Sequence, residues 1–430
     1  MRSPGCHRLS MAFATEIRMF KQGYFSFIAA VWLALPASAA GLQEPAAPLT
    51  LEQAQRLARE GSPALSVARR EVEATEGQVL QGSLRPNPEF VFQADDASRP
   101  SRSSTAQLDM PIETANKREA RVEAAERGRD VAQTDLADRG QRLRAAVSAA
   151  FFDVLAAQEL LRAAQDSLSL ARRATDVASR RVTAGKVSPV EETKARVAEA
   201  SARVALAQAE SGLRNARTRL SSLWGNPMPQ FTLAEGSVDS LPDLPDGIAV
   251  EQRLQRAPAL LRAERELQRR KALVGVEQSR TVPDFTVSVG MKRREDTVGR
   301  DQLLVGVSVP LQVFNRNQGN LLEALRREDK ARDELQAVRT SVAADAWQAL
   351  EKVNARRSEA ELLQRDVLPG ARSAYEAATI GFENGKFSFL ELLDAQRTLF
   401  SATAQYLTAI AAVHAALAEL DGILGTTEGR

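Results

Sequence analysis

The sequence is written twice, and whatever one half folds into, the other must fold into as well. Ser62-Pro63-Ala64-Leu65, followed by Arg69-Arg70-Glu71, returns 195 residues later as Ala257-Pro258-Ala259-Leu260, followed by Glu264-Arg265-Glu266. Pro88-Glu89-Phe90 returns as Pro283-Asp284-Phe285 at the same spacing. Gly185-Lys186-Val187-Ser188 returns 200 residues on as Gly385-Lys386-Phe387-Ser388, and Leu223-Trp224-Gly225 as Ile423-Leu424-Gly425. Order and spacing are kept throughout, which defines a first repeat over 41–225 and a second over 249–425. The connecting segment, 226–248, is rich in Pro and Gly and reads as a linker. A short tail, 426–430, follows.

Each half has the same grammar. A helix comes first, about 51–84 and 249–280, ending near prolines that cannot continue it. Two short runs of alternating character follow, the period of a strand with one apolar face. In the second half Phe285, Val287, Val289 and Met291 share one parity, as do Leu303, Val305, Val307 and Val309. In the first half the set is Phe90, Phe92 and Ala94, then Ala106, Leu108 and Met110. Polar segments divide each pair, which predicts β-hairpins at about 88–111 and 283–311.

A very long helix follows each hairpin, about 115–182 and 318–382. Ala150, Ala157, Ala164, Ala171 and Ala178 fall every seven residues, with Val147, Val154, Leu161, Leu168 and Val182 in the companion register. Ala346, Val353, Ala360, Val367 and Ala374 repeat the pattern in the second half. Sustained heptads mean coiled-coil packing. Turns near 185–189 and 385–388 then reverse the chain into return helices, about 190–224 and 389–424. At these tips Gly185 and Gly385 supply positive φ, and Ser188 and Ser388 cap the return helices.

The first forty residues read as a signal peptide. Arg2, Arg8, Arg18 and Lys21 precede an apolar run, Tyr24 to Leu35, and the small residues around Ala39 and Ala40. That run of about 12 residues is short of the ~20 a spanning helix needs. Cys6 lies in this leader, so the exported chain has no disulfide or thiolate metal site. After residue 41 no stretch is read as a transmembrane helix. Aromatics make up only 5% and the formal charge is +2, with Arg and Glu alternating along the helices, so no basic face for nucleic acid is expected.

Four strands with one apolar face cannot stand alone in lipid, because open edges leave backbone groups unpaired at several kcal/mol each. Single-chain barrels have at least eight strands. Several copies must therefore lend strands to one barrel. The charged helices cannot cross the membrane and must project beside it.

The pattern resembles the TolC family of outer-membrane efflux proteins, over essentially the whole chain after the leader. It is most similar to the branch that exports heavy-metal cations, the CzcC, CnrC and NccC type. The resemblance rests on Arg85-Pro86-Asn87-Pro88-Glu89-Phe90, Met110-Pro111-Ile112-Glu113 with Lys117-Arg118, Ala184 to Glu191, and Pro310 to Asn320. It implies a mainly α fold with a small membrane β-barrel portion: a homotrimer with a twelve-stranded barrel continued by a periplasmic α-barrel. It also implies a periplasmic adaptor (membrane fusion protein) and an inner-membrane pump of the RND type as partners, with outer-membrane lipid around the strands. From the residues themselves, with one His and three scattered Met after the leader, no cofactor and no tight metal centre are expected. The lipid-facing positions would be Phe90, Phe92, Leu108, Met110, Phe285, Val287, Val289, Leu303, Val305, Val307 and Val309.

Two further sets of residues follow from the resemblance. Glu391 and Asp394 stand three apart on one helical face. They match the acidic residues that ring the family's entrance, and three copies would set six carboxylates around the axis. Without the resemblance they are a solvated face pairing with basic neighbours. Gly185, Lys186, Ser188, Gly385, Lys386 and Ser388 would meet the adaptor. The polar lock of some relatives is not expected, because Phe382 and Phe387 occupy positions where a Tyr and a basic residue would serve it. A lone His414 in an Ala-rich helix reads as a packed residue. No nucleotide loop or nucleophile motif points to an enzyme. Three other readings stay open: a duct for drugs or secreted polypeptide, a soluble coiled-coil adaptor, and a standalone porin.

Overall fold

A computed structural model describes Glu44, 48–95, 103–238, 241–242, 244–294, 301–384 and 386–425. The signal segment, most of both hairpin loops, Gly385 and the tail lie outside the described residues.

Each predicted opening helix is a pair. Helix α1 (Leu51–Gly61) begins with a capping box between Thr50 and Gln53, and α2 (Pro63–Ser83) follows immediately. Ser62 between them is extended, with ψ of 120°, because Pro63 excludes the helical conformation from the residue before it. In the second repeat Pro258 does the same, separating α5 (Gly247–Leu254) from α6 (Pro258–Ser279). Proline at the first helical position starts the new helix without losing a bond.

Strands β1 (Glu89–Asp95) and β2 (Ser103–Ile112) form the first hairpin, β3 (Phe285–Arg294) and β4 (Gln302–Ser308) the second. They join into one antiparallel sheet in the order β1-β2-β3-β4. The register aligns the apolar parity across all four strands. Phe90 faces Leu108, Leu108 faces Val289, and Val289 faces Val305; Met110, Val287 and Val307 form the next row. Phe90, Phe92, Leu108, Met110, Val289, Leu303, Val305, Val307 and Val309 are exposed, while Phe285 and Val287 are half-buried. The other face carries Gln93, Thr105, Lys292 and Gln302 in one row. One face is thus suited to lipid and the other to water.

Gly290 lets β2 and β3 approach closely: a Cβ there would lie 2.5 Å from the Ala106 carbonyl oxygen. Gly290→Val is therefore expected to cost at least ~2 kcal/mol through overpacking against backbone. The measurement is the yield of folded, protease-resistant protein in outer-membrane fractions, which should fall while total synthesis is unchanged.

The long helix α3 (Lys117–Thr183) has 67 residues, about 100 Å at ~1.5 Å each. Val147, Ala150, Val154, Ala164, Leu168, Ala171 and Ala178 are buried, as the heptad requires. It packs against α2 and α6 along one stretch and against the return helix α4 (Pro189–Ser222) and α9 (Phe389–Leu424) along another.

The second long helix differs. It runs as α7 (Gln318–Leu362), a π turn (Leu363–Val367) and α8 (Leu368–Glu383). Pro369 cannot donate to the turn before it, and the Leu368 N–H bonds to Leu363, five residues back. The buried alanines then step from Ala360 to Ala371 and Ala378, an interval of eleven rather than seven. The predicted heptad positions Val367 and Ala374 are in consequence exposed.

Two apolar clusters lie along the helices away from the tips. One gathers Val147, Phe151, Val154, Leu220, Trp224, Phe231 and Ile410; the other gathers Val250, Ala346, Val353, Ala416 and Leu420. The connector is tied to the first by a parallel bridge between Leu49 and Ala234. The buried Glu44 carboxylate also holds it, accepting from Trp224 Nε1 (2.7 Å), Asn226 Nδ2 (2.5 Å) and the Gln230 (2.5 Å) and Phe231 (3.3 Å) amides. Trp347, by contrast, is exposed. Helix α9 is long and apolar enough to cross a membrane, against the reading that no later segment is. More than half of its apolar window is nonetheless buried, and it packs on α3 and α7. His414 lies in that packing, stacked on Phe152 with 3.4 Å between ring centroids.

Candidate functional site

The two turns of the long hairpins, 200 residues apart in sequence, meet in one cluster. Ala174, Ala178, Ala195 and Ala198 of the first hairpin pack against Ala378, Phe382, Phe389, Leu392 and Leu393 of the second. Small residues on one side let the aromatic and Leu side chains of the other sink in. Phe382 and Phe389 are tilted against each other at 5.8 Å, and the Arg181 guanidinium lies 4.6 Å over the Phe382 ring. That cation–π contact joins the first tip to the second. Sequence reasoning missed it because nothing in local spacing brings Arg181 to Phe382.

Both tips close with the same backbone bond, from Lys186 N–H to the Arg181 carbonyl (2.9 Å) and from Lys386 N–H to the Gly381 carbonyl (2.8 Å). Gly185 has φ of 69°, the left-handed conformation that glycine adopts without strain. Phe387 folds over Gly381, where a Cβ would collide with its ring. The tips are held by backbone hydrogen bonds and aromatic packing, to which both Phe382 and Phe387 contribute. Lys186, Ser188, Lys386 and Ser388 are exposed.

Ser188 caps α4 through the Val190 amide (3.3 Å). Ser388 and Glu391 form a full capping box: the Glu391 N–H donates to Ser388 Oγ (3.3 Å) and the Ser388 N–H donates to Glu391 Oε2 (2.6 Å). The Glu391 carboxylate thus has a structural task. Asp394, one turn on, is exposed on the same face. Among the described residues neither carboxylate is in an ion pair, unlike their neighbours in the first hairpin. There Arg196 holds Glu192 below the usual carboxylate range through a hydrogen bond, and Arg203 does the same to Glu199.

At the other end of the helices, Asp284 ties the repeats together just before β3. It accepts from Lys117 Nζ (2.6 Å) and the Thr114 N–H (2.8 Å). Burial pushes its carboxyl up, but these hydrogen bonds outweigh it and hold the carboxyl below its ordinary value.

A four-stranded sheet with one lipid-compatible face, continued by paired helical hairpins, defines an outer-membrane channel subunit whose helices extend into the periplasm. The family model described as outer membrane efflux protein matches residues 54–226 and 249–426, one match per repeat, and the chain belongs to that family. It is 46% identical to the cobalt-zinc-cadmium resistance protein CzcC of Cupriavidus metallidurans, over 89% of this chain and 91% of that one. It is 30% identical to the nickel and cobalt resistance protein CnrC of the same organism, over 72% and 74%. A crystal structure of CusC superposes with a TM-score of 0.74 at 18% identity, covering 90% of this chain and 96% of that chain, which establishes the shared fold. The family is one of transport channels, which sets aside the soluble-adaptor reading.

Proposed function

We propose that this protein is the exit duct of a tripartite pump that removes divalent heavy-metal cations, of the Co, Zn, Cd and Ni kind, from the periplasm. Three copies would close a twelve-stranded barrel in outer-membrane lipid. Their helices would form a periplasmic tube that meets an adaptor, with an inner-membrane RND-type pump supplying the energy. The observation that carries the reading is the four-strand register: it aligns one apolar face and, among the described residues, leaves both outer strands without a neighbour. The 46% identity to CzcC, aligned over 89% of this chain and 91% of that one, supports the metal as cargo.

In this reading Glu391 and Asp394 of three copies ring the periplasmic entrance and favour cations over anions. The exposed tip residues Gly185, Lys186, Ser188, Lys386 and Ser388, together with Gly385, receive the adaptor. The wall needs no tight metal site, because a conduit must release what it conducts.

Deleting the gene is expected to lower the tolerated Co, Zn or Cd concentration about tenfold, a factor worth ~1.4 kcal/mol in any equilibrium quantity. Complementation should restore it. Growth assays across metals and hydrophobic drugs decide the matter: lost drug tolerance with unchanged metal tolerance would replace the metal reading with the drug-duct one.

A further inference from the structure

The duplication shows how one copy meets the next. Inside the chain, the inner strand of the first repeat, β2, lies beside the inner strand of the second, β3. Among the described residues the outer strands β4 and β1 have no such neighbour. β2 runs on to Ile112, which faces Phe285. β4 ends at Ser308, yet its alternation continues through Val309, Leu311 and Val313. Leu311 is 85% exposed and Phe90, on β1, 69%. These are bare apolar residues flanking a bare strand edge, on both sides of the sheet.

We propose that the segment 309–312 extends β4 as a ladder against β1 of the next copy, in the register Leu311 opposite Phe90. The pairing rests on the trimeric-channel reading and adds its residue-level contact. Two observations set the register. First, Met110-Pro111-Ile112 recurs as Val309-Pro310-Leu311, and Pro111 faces Thr286, whose counterpart in the first repeat is Val91. Pro310 then faces Val91, and Leu311, Val309 and Ser308 face Phe90, Phe92 and Gln93. Apolar residues meet apolar residues on the lipid side; on the water side Ser308 meets Gln93, and the ring of Pro310 lies over Val91.

Second, the register closes a barrel of acceptable tilt. From Glu89 the ladder leads through Asp109, Ser288 and Gly306 to Asp95 of the next copy, six residues further along β1. Three such steps around twelve strands, at ~3.3 Å per residue and ~4.8 Å between strands, give a tilt of about 45°. That is the upper end of the usual range for barrels. Sliding the edge by two residues toward Val313 opposite Phe90 raises the tilt to about 54°, outside that range. Sliding it the other way breaks the equivalence of the two prolines.

The helices expose edges of the same polarity. They pack in the row α4, α3, α9, then α7 and α8. On α4, Val190, Val197 and Val204 are each 57% exposed at heptad spacing, whereas the alanines Ala195, Ala198 and Ala202 of the same helix are buried. On the opposite border of the row, Leu362 and Ile380 are bare. Again it is the outer edge of one repeat that would meet the outer edge of the other. Such a head-to-tail contact closes into a ring when its rotation repeats three times to a full turn, as the proposed trimer requires.

Cys6 is the only cysteine, so a Cys6→Ser background is silent in oxidation. In it, Ser308→Cys is combined in turn with Val91→Cys, Gln93→Cys or Asp95→Cys. All four positions lie on the water face, and β1 and β4 are at opposite edges of one chain, so a disulfide between them joins two copies. Directly opposite residues at a pair without mutual hydrogen bonds, as Pro310 requires for its neighbours at Ser308, sit about 4.5 Å apart at Cα. A two-residue slip takes them past the ~7 Å that a disulfide spans.

After mild oxidation of cells, non-reducing gels should show linked dimers and trimers with Gln93→Cys, at least about fivefold above either of the other pairs. Predominant linking through Val91→Cys or Asp95→Cys overturns the register. No linking in any pair, from variants that still restore metal tolerance, overturns the edge pairing while leaving the channel reading intact.

Discussion

Changing Glu391 to Gln together with Asp394 to Asn is expected to remove most of the cation preference of the reconstituted channel. The reason lies in charge count. In the proposed trimer, three copies of these two carboxylates, neither in an ion pair among the described residues, would place six negative charges at the entrance. At an effective dielectric of ~20, two unit charges 8 Å apart interact by about 2 kcal/mol, so several such terms outweigh thermal energy at the constriction. Neutralising all six should lower the cation-over-anion permeability ratio about tenfold or more. The choice of replacement matters. Gln at the third helical position can still complete a capping box with Ser388, whereas Ala would cost about 1 kcal/mol of helix stability and confound the result. Reversal potentials across a salt gradient in planar bilayers read the ratio directly. An unchanged ratio with the helix intact by circular dichroism would remove these residues from the entrance.

Glu44→Ala is expected to be the most destabilising single change outside the helix cores. The carboxylate is buried and is the shared acceptor for Trp224, Asn226 and two backbone amides of the connector. Removing it strands the buried Trp224 Nε1 and the Phe231 amide without an acceptor. Each unsatisfied buried donor costs about 1–3 kcal/mol, so a loss of roughly 3 kcal/mol or more is anticipated. The first sign should be protease cleavage within 226–238 at temperatures where the unmodified protein resists. Glu44→Gln should recover only part of the loss, since its amide nitrogen presents a donor to donors. Wild-type protease resistance in Glu44→Ala would show that the bridge of Leu49 to Ala234 holds the connector unaided.

Much of this architecture is legible in local sequence. Alternation at Phe285, Val287 and Val289 identifies a strand because its side chains must leave on opposite faces. The alanines from Ala150 to Ala178 identify a long packed helix because seven residues return a side chain to one stripe. The turns at Gly185 and Ser188 follow from positive φ and capping. Each of these signals depends on neighbours within one or two turns of chain. The exceptions are equally local. Pro63, Pro258 and Pro369 were all present to be read, and each broke or rewound a helix that the apolar pattern alone runs straight through.

Other features are decided only where distant segments meet. The identity of Glu44 says nothing of the connector amides it holds, some 180 residues later. Arg181 reaches Phe382 only because two hairpins lie side by side, and Glu391 divides its carboxylate between a helix cap and an exposed face in a way its spacing from Asp394 does not reveal. The duplication, by itself, determined that the chain has two like halves, each a hairpin of strands on a hairpin of helices. Tertiary structure decided that β2 joins β3 and that β1 and β4 are left at the rims. Periodicity specifies which face of an element is apolar, whereas its neighbour is chosen by long-range backbone pairing and packing that no local window contains.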